Sequence, residues 1–243
     1  MSSDTGYLAL QFIGPMQAWG FDSQYNRRNT SLFPTKSAVA GICCAAAGYS
    51  RGSHQEKDFL DKFIHINMLS VAIPRFRDYG RAGQTKKKQL EVRRIQDYHT
   101  VQNTMRASGA VNKDCVLTYR QYLNDASFGI VLSGNRSLLE QISTSLKDPA
   151  WGLWLGRKSC IPAAPILAGT AHKAGIIFNY QSDALQLILG DASLTDFVYQ
   201  SEAESFMDGK DSIPDIAVSF AAEDRHFSPR RISVHQPIRK EEQ

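Results

Sequence analysis

The order of its apolar segments constrains this chain most. Residues 7–13, YLALQFI, place Leu8, Leu10 and Phe12 on one side, the alternation of a half-buried strand. The run FPTKSAVAGICCAAAG predicts a short helix, with Pro34 ahead of it, Thr35 as N-cap and Gly48 as stop. A second helical piece over about 55–64 leads into the apolar strand INMLSVAIP. Phe128, Ile130 and Leu132 alternate in SFGIVLSG, Leu138, Leu139, Ile142 and Leu146 recur at helical spacing over 135–147, and APILAGT supplies a last strand.

Strand, helix, strand, strand, helix, strand is the ferredoxin-like α+β plan, four antiparallel strands under two helices. Between the second and third strands, however, lie about 50 residues, Phe76 to Asp125, where a hairpin would use 2 to 5. Residues 75–113 carry 10 basic and 3 acidic side chains, interleaved with Tyr79, Tyr98 and His99. Cations that track phosphates beside rings that stack on bases suit single-stranded nucleic acid; the competing reading is a solvated loop. Lys86, Lys87, Lys88, Arg93, Arg94, His99 and Arg106 are the candidate contacts within it.

Charge is divided unevenly along the chain. Residues 1–120 hold 17 Lys/Arg against 9 Asp/Glu, whereas 183–224 hold 1 against 10. The first half suits a polyanion, and the acidic stretch should form loops around short strands that face solvent or a basic neighbour. We expect two regions, a nucleic-acid-binding domain over 1–170 with the insertion at about 76–125 and a small β-rich region over 171–243, with a hairpin near DIAVSFAAEDRHFSPRRISVHQPI and a frayed RKEEQ end. No run of about 18 apolar residues exists to span a membrane. MSSDTG lacks the features of a signal peptide, and the four cysteines lack C-x-x-C spacing, which predicts a reduced, cytoplasmic chain. The histidines show no zinc spacing, no phosphate-binding or dinucleotide glycine loop is present, and no cofactor is expected.

Three further places attract attention. Past the first strand, GPMQAWG offers Gln17 to pair with a base edge and Trp19 to stack, although a tryptophan there can equally plug the core. At the helix start, free backbone N–H groups beside Lys36 and Ser37 form an anion site that Arg27 and Arg28 would extend. GLWLGRKSC brings Arg157 and Lys158 to a glycine-containing loop before the last strand. Metal-free RNA cleavage needs a base, an acid and a cation, and Tyr98, His99 and Lys86–Lys88 supply those types. Adjacent residues of a strand point to opposite faces, though, so Tyr98 and His99 would not converge on one phosphate.

The blocks GPMQAWG, FPTKSAVAG, QDYHTV, YRQYLNDASF and WLGRKSCIPAAPILAGT, in this order over residues 7–170, resemble the CasD family of the type I-E CRISPR Cascade complex. The resemblance implies a ferredoxin-like, RRM-type core with a protruding β-hairpin thumb, here the 76–125 insertion. It further implies a non-catalytic subunit in antiviral defence that caps the crRNA 5′ handle and contacts the backbone subunit, the large PAM-reading subunit and, through the assembled complex, target DNA near the seed. Relatives in another CRISPR subtype cut their own guide precursor, so a metal-independent endoribonuclease is the alternative.

Overall fold

The computed structural model describes residues 4–80, 86–106, 108–112, 114–170, 172–203, 205 and 207–238; the RKEEQ end lies outside them. Strand β1 (Thr5–Ile13) is followed by the short β2 (Met16–Gln17), β3 (Ser23–Gln24) and β4 (Arg27–Arg28), then helices α1 (Lys36–Ala47) and α2 (His54–Phe63) and strand β5 (Asn67–Ala72). The insertion contributes β6 (Arg75–Tyr79), β7 (Lys86–Leu90), β8 (Arg93–Val101) and β9 (Val116–Asn124). Then come β10 (Ser127–Asn135), α3 (Arg136–Lys147), β11 (Ile177–Phe178), α4 (Gln181–Leu189), β12 (Tyr199–Glu202), β13 (Asp211–Ser219) and β14 (His226–His235).

Seven strands form one antiparallel sheet in the order β11, β1, β10, β5, β12, β14, β13. Leu8, Leu10 and Phe12 of β1, with Phe128, Ile130 and Leu132 of β10, bury one face against α1, α2 and α3. The residues between them, Ala9 and Val131, join Leu69 and Val71 on the other face under Ala184, Leu185 and Ile188 of α4. The acidic composition around Asp183 and Asp191 predicts a loop where this helix stands. It lies close because Gly129 of β10 has no side chain, and a Cβ there would collide with Ile188.

Helix ends follow local chemistry. Ser53 Oγ accepts from Glu56 N at 3.2 Å while the Glu56 carboxylate accepts from Gly52 N at 2.8 Å, and Asn135 Oδ1 caps α3 through Leu138 N at 2.9 Å. Gly48 ends α1 at φ +73°, where a left-handed residue must sit. Burial pushes the thiol of Cys44 up to about 12 and that of Cys43 up as well, so both stay neutral in the core.

Two sequence expectations are revised. APILAGT lies beside β1 through Gln11 N to Ile166 O (2.7 Å) and Ala168 N to Ala9 O (3.1 Å), but makes only a bridge between Leu10 and Leu167, since Pro165 lacks an N–H and Gly169 turns away at φ +103°. The insertion is two hairpins. β6 and β7 pair only with each other, whereas β8 pairs along nine residues with β9, which also joins β2 and β4 in a second sheet. After residue 170, β11 pairs with β1 and β12 pairs with β5, so the later strands extend the same sheet. The hairpin expected near the end is β13–β14.

A buried ion cluster welds this extension to α1. Asp215 of β13 takes both Arg230 Nε (2.8 Å) and Nη2 (2.7 Å) and also accepts from Lys36 N at 2.8 Å. Glu202 of β12 takes Lys36 Nζ at 3.2 Å, Arg230 Nη1 at 3.2 Å and Met68 N at 2.9 Å. Burial pulls the Lys36 ammonium below its ordinary pKa, and the Glu202 charge opposes that pull. Breaking one member of such a buried set leaves uncompensated charge, so Asp215→Ala should cost about 3–5 kcal/mol in urea unfolding; a loss under about 1 kcal/mol would show the cluster to be dispensable.

Candidate nucleic-acid interface

Four arginines from four distant parts of the chain meet around one cleft of about 630 Å³. Its walls are the start of α1, the loop after β2, the α1–α2 turn, the 151–157 loop and the β13–β14 hairpin. Arg28, Arg51, Arg157 and Arg225 line it together with Phe21, Trp151, Trp154 and Phe227. One carboxylate, Glu56, reaches the lining, and it is already bonded to Gly52 N. Desolvation, and next the like charges of Arg51 and Arg28, hold the Arg225 guanidinium below its ordinary value. Arg225 thus feels the like charges of Arg51 and Arg28, the ion pairs among the described residues include none to the four arginines, and a bound anion would relieve that repulsion.

The geometry of Arg157 is set from beneath. Its guanidinium lies 4.6 Å above the centroid of the Tyr122 ring, and Nη2 donates to Arg28 O at 2.8 Å, while Nη1 is buried without a hydrogen-bond partner. Gly156 sits at φ +96° with a Cβ position that would strike the Ala18 carbonyl, and Leu155 O accepts from Ala18 N at 3.0 Å. The glycine's close approach thus serves protein backbone, clamping the 151–157 loop to the segment after β2. Gly14 does likewise, facing Ile161 O and Leu155.

Of the sequence-derived candidates, the structure brings Arg28, Ser37 and Arg157 into this cleft. Arg27 lies beside it on β4, which pairs in parallel with β9, and Lys158 is exposed next to Arg157. Gln17 and Trp19 are corrections. Both are 0 % exposed. Gln17 Nε2 donates to Phe12 O (2.9 Å) and Ala126 O (2.8 Å), and its Oε1 accepts from Trp19 Nε1 (3.1 Å), so the amide is spent inside the core and has no face left for a base. Lys36 is a correction too: at 2 % exposure its ammonium belongs to Glu202 and Ile64 O, and the anion slot at the helix start is filled by Asp215.

The insertion's candidates lie elsewhere. Lys86, Lys87 and Lys88 are exposed on β7; Arg93 and Arg94 start β8, with Arg93 3.9 Å from Glu91. His99 Nδ1 is 3.6 Å from Asp97, on the strand face opposite Tyr98, whose ring lies 5.3 Å from that of Tyr119. Arg106, beyond β8, donates to Asn112 Oδ1 at 2.9 Å. Sequence reasoning missed Arg51, Arg225 and both tryptophans of the cleft. The pair Trp151 and Trp154 beside Arg157 is a usable signal, whereas the turn residues Arg51 and Arg225 carry none.

The model for the family described as CRISPR-associated protein (Cas5) matches residues 7–233 of this chain. The chain belongs to the Cas5 family. It is 26 % identical over 182 residues to the CRISPR system Cascade subunit CasD of Escherichia coli (strain K12), covering 72 % of this chain and 77 % of that one. A solved chain from a CRISPR RNA-guided surveillance complex shares the fold, with a TM-score of 0.68 at 24 % identity over 94 % of this chain and 88 % of that one. A Cas protein crystal structure aligns with a TM-score of 0.62 at 25 % identity over 94 % and 93 % of the two chains. In this Cas5 chain, Gln17 is a buried hydrogen-bonding residue of the core. Gln17→Ala orphans two buried carbonyls and the Trp19 N–H, so it should lower the unfolding free energy by about 2–4 kcal/mol and weaken all RNA binding equally; a selective loss for one RNA sequence at unchanged melting temperature would contradict this.

Proposed function

We propose that this Cas5 chain is a non-catalytic RNA-binding subunit of a type I-E Cascade-type CRISPR surveillance complex, and that its arginine cleft holds the 5′ handle of the crRNA. The observation that carries the reading is the gathering of four arginines, Arg28, Arg51, Arg157 and Arg225, with Glu56 the one carboxylate among the described lining residues, around a cleft that also presents Phe21, Trp151 and Trp154. Guanidinium groups contact phosphate and ring faces stack on unpaired bases, which is the chemistry of a splayed single strand. Trp151, 47 % exposed, is placed at the mouth where a base can reach it.

The likeness to the E. coli CasD subunit supports membership of a ribonucleoprotein complex. In that setting the chain caps the guide, touches the neighbouring backbone subunit and the large PAM-reading subunit, and lies near target DNA at the seed. A ferredoxin-like core is supported by the order of the 166–168 segment, β1, β10 and β5, with α1–α3 on one face. The β8–β9 hairpin, rather than the whole insertion, serves as the thumb. Sequence in the guide is read by base pairing, so the protein needs shape and phosphate recognition outside the fixed handle. The endoribonuclease alternative draws no support from β8, where His99 and Tyr98 occupy opposite faces.

Binding of a labelled handle RNA to the full chain tests the reading. Arg51→Gln with Arg225→Gln should weaken the native handle at least tenfold and flatten the salt dependence by up to about 0.7 in log-log slope for each phosphate no longer neutralised. The melting temperature should hold or rise, because the substitutions remove repulsion. Incubation of the chain with repeat RNA in EDTA should yield no discrete products. Unchanged handle affinity in the double variant would remove the cleft from the interface, and defined cleavage products would favour the enzyme.

A further inference from the structure

The β6–β7 ribbon is a second cationic element with a different geometry. The two strands pair only with each other, and all their residues but Arg75 and Leu90 are exposed. An isolated two-stranded hairpin is marginally stable in water at best. This one also opposes like charges, Arg77 directly across from Lys88, an arrangement that destabilises a ribbon. Strand alternation puts Arg75, Arg77 and Tyr79 on the same face as Lys86, Lys88 and Leu90. Arg75 is anchored at the base, 3.6 Å from Asp125 and bonded to Gly14 O. The ion pairs of the described residues include none to Arg77, Lys86 or Lys88. The reverse face is balanced, since Asp78 stands opposite Lys87 between Phe76 and Gln89.

We propose that this ribbon is a duplex-DNA-binding element whose cationic face, with Arg77, Lys86 and Lys88, lies against the phosphates. A duplex presents one negative charge per about 1.7 Å of axis, which meets a one-sided row of point charges. A single strand is the weaker match, because its binding needs rings among the cations. Among the described residues of the ribbon, Tyr79 is the one ring on the cationic face, and Phe76 points the other way. The three cations, expected from sequence to hold guide RNA along with the rest of the insertion, thus serve a partner of their own. The inference does not depend on the handle-binding reading.

The test measures the full chain against a 30-bp duplex of arbitrary sequence and, separately, against handle RNA, across a salt series. The variant Arg77→Gln, Lys86→Gln, Lys88→Gln should weaken duplex binding at least tenfold and lower its log-log salt slope by up to about 0.9 for each phosphate no longer neutralised. Handle RNA affinity should stay within about twofold, and the melting temperature should not fall. Lys87→Gln, on the balanced face, should change duplex binding by less than about twofold. Unchanged duplex affinity and slope in the triple variant would overturn the proposal. So would an equal loss for RNA and duplex, which would return the ribbon to the guide strand. A chain that fails to hold handle RNA at all can still show the duplex loss, so the two readings fail separately.

Discussion

The contact on which the rest of the molecule depends is the buried cluster of Lys36, Glu202, Asp215 and Arg230. Two cations and two anions cancel, and each carboxylate also accepts a main-chain N–H, Glu202 from Met68 and Asp215 from Lys36. Every member therefore has a partner when buried, the condition under which removing charge from water is tolerable. The cluster joins the first residue of α1 to strands β12, β13 and β14, elements far apart in sequence. Because β13 and β14 are held this way, their connecting turn carries Arg225 to the cleft mouth. The same carboxylate that caps α1 consumes the anion site that a free helix start would have offered.

The route available to RNA follows from what covers the sheet. A small αβ domain with helices on one side can use the bare strands opposite as a stacking platform for bases. In this chain Ala9, Leu69, Val71 and Val131 of that face are packed under α4. Apolar burial on both faces strengthens the core at about 25 cal/mol per Å², and it leaves these strands unavailable as such a platform. The 151–157 loop, stapled to Ala18 by Gly156, meets the segment after β2 and the turn after α1. Arg28, Arg51, Arg157 and Arg225 gather there with Glu56 the one carboxylate among the described lining residues.

The insertion divides its work between two hairpins that differ in support. β8–β9 is built into a second sheet through β2 and β4 and carries the Tyr98–Tyr119 ring pair and His99. β6–β7 has no sheet behind it, and its charges are segregated onto one face. The difference in packing, more than in composition, separates their roles, since both are drawn from the same basic stretch.

What the sequence determined by itself is the local part of the structure. Alternation in β1 and β10, helical spacing in α3, the Gly48 stop of α1 and the β13–β14 hairpin are all legible, because each rests on residues within a few positions of one another. The charge asymmetry is legible for the same reason, as a property of composition. Polar side chains are not, because their partners lie far along the chain: Gln17 bonds to Ala126, 109 positions away, and Lys36 to Glu202, 166 positions away. With no sign of those partners in the local pattern, both read as surface groups, and the tertiary structure placed them inside. The cleft is the converse case. Arg28, Arg51, Arg157 and Arg225 share no spacing or motif, and only the sheet order and the ion cluster bring them to one opening, where their uncompensated charge becomes a site.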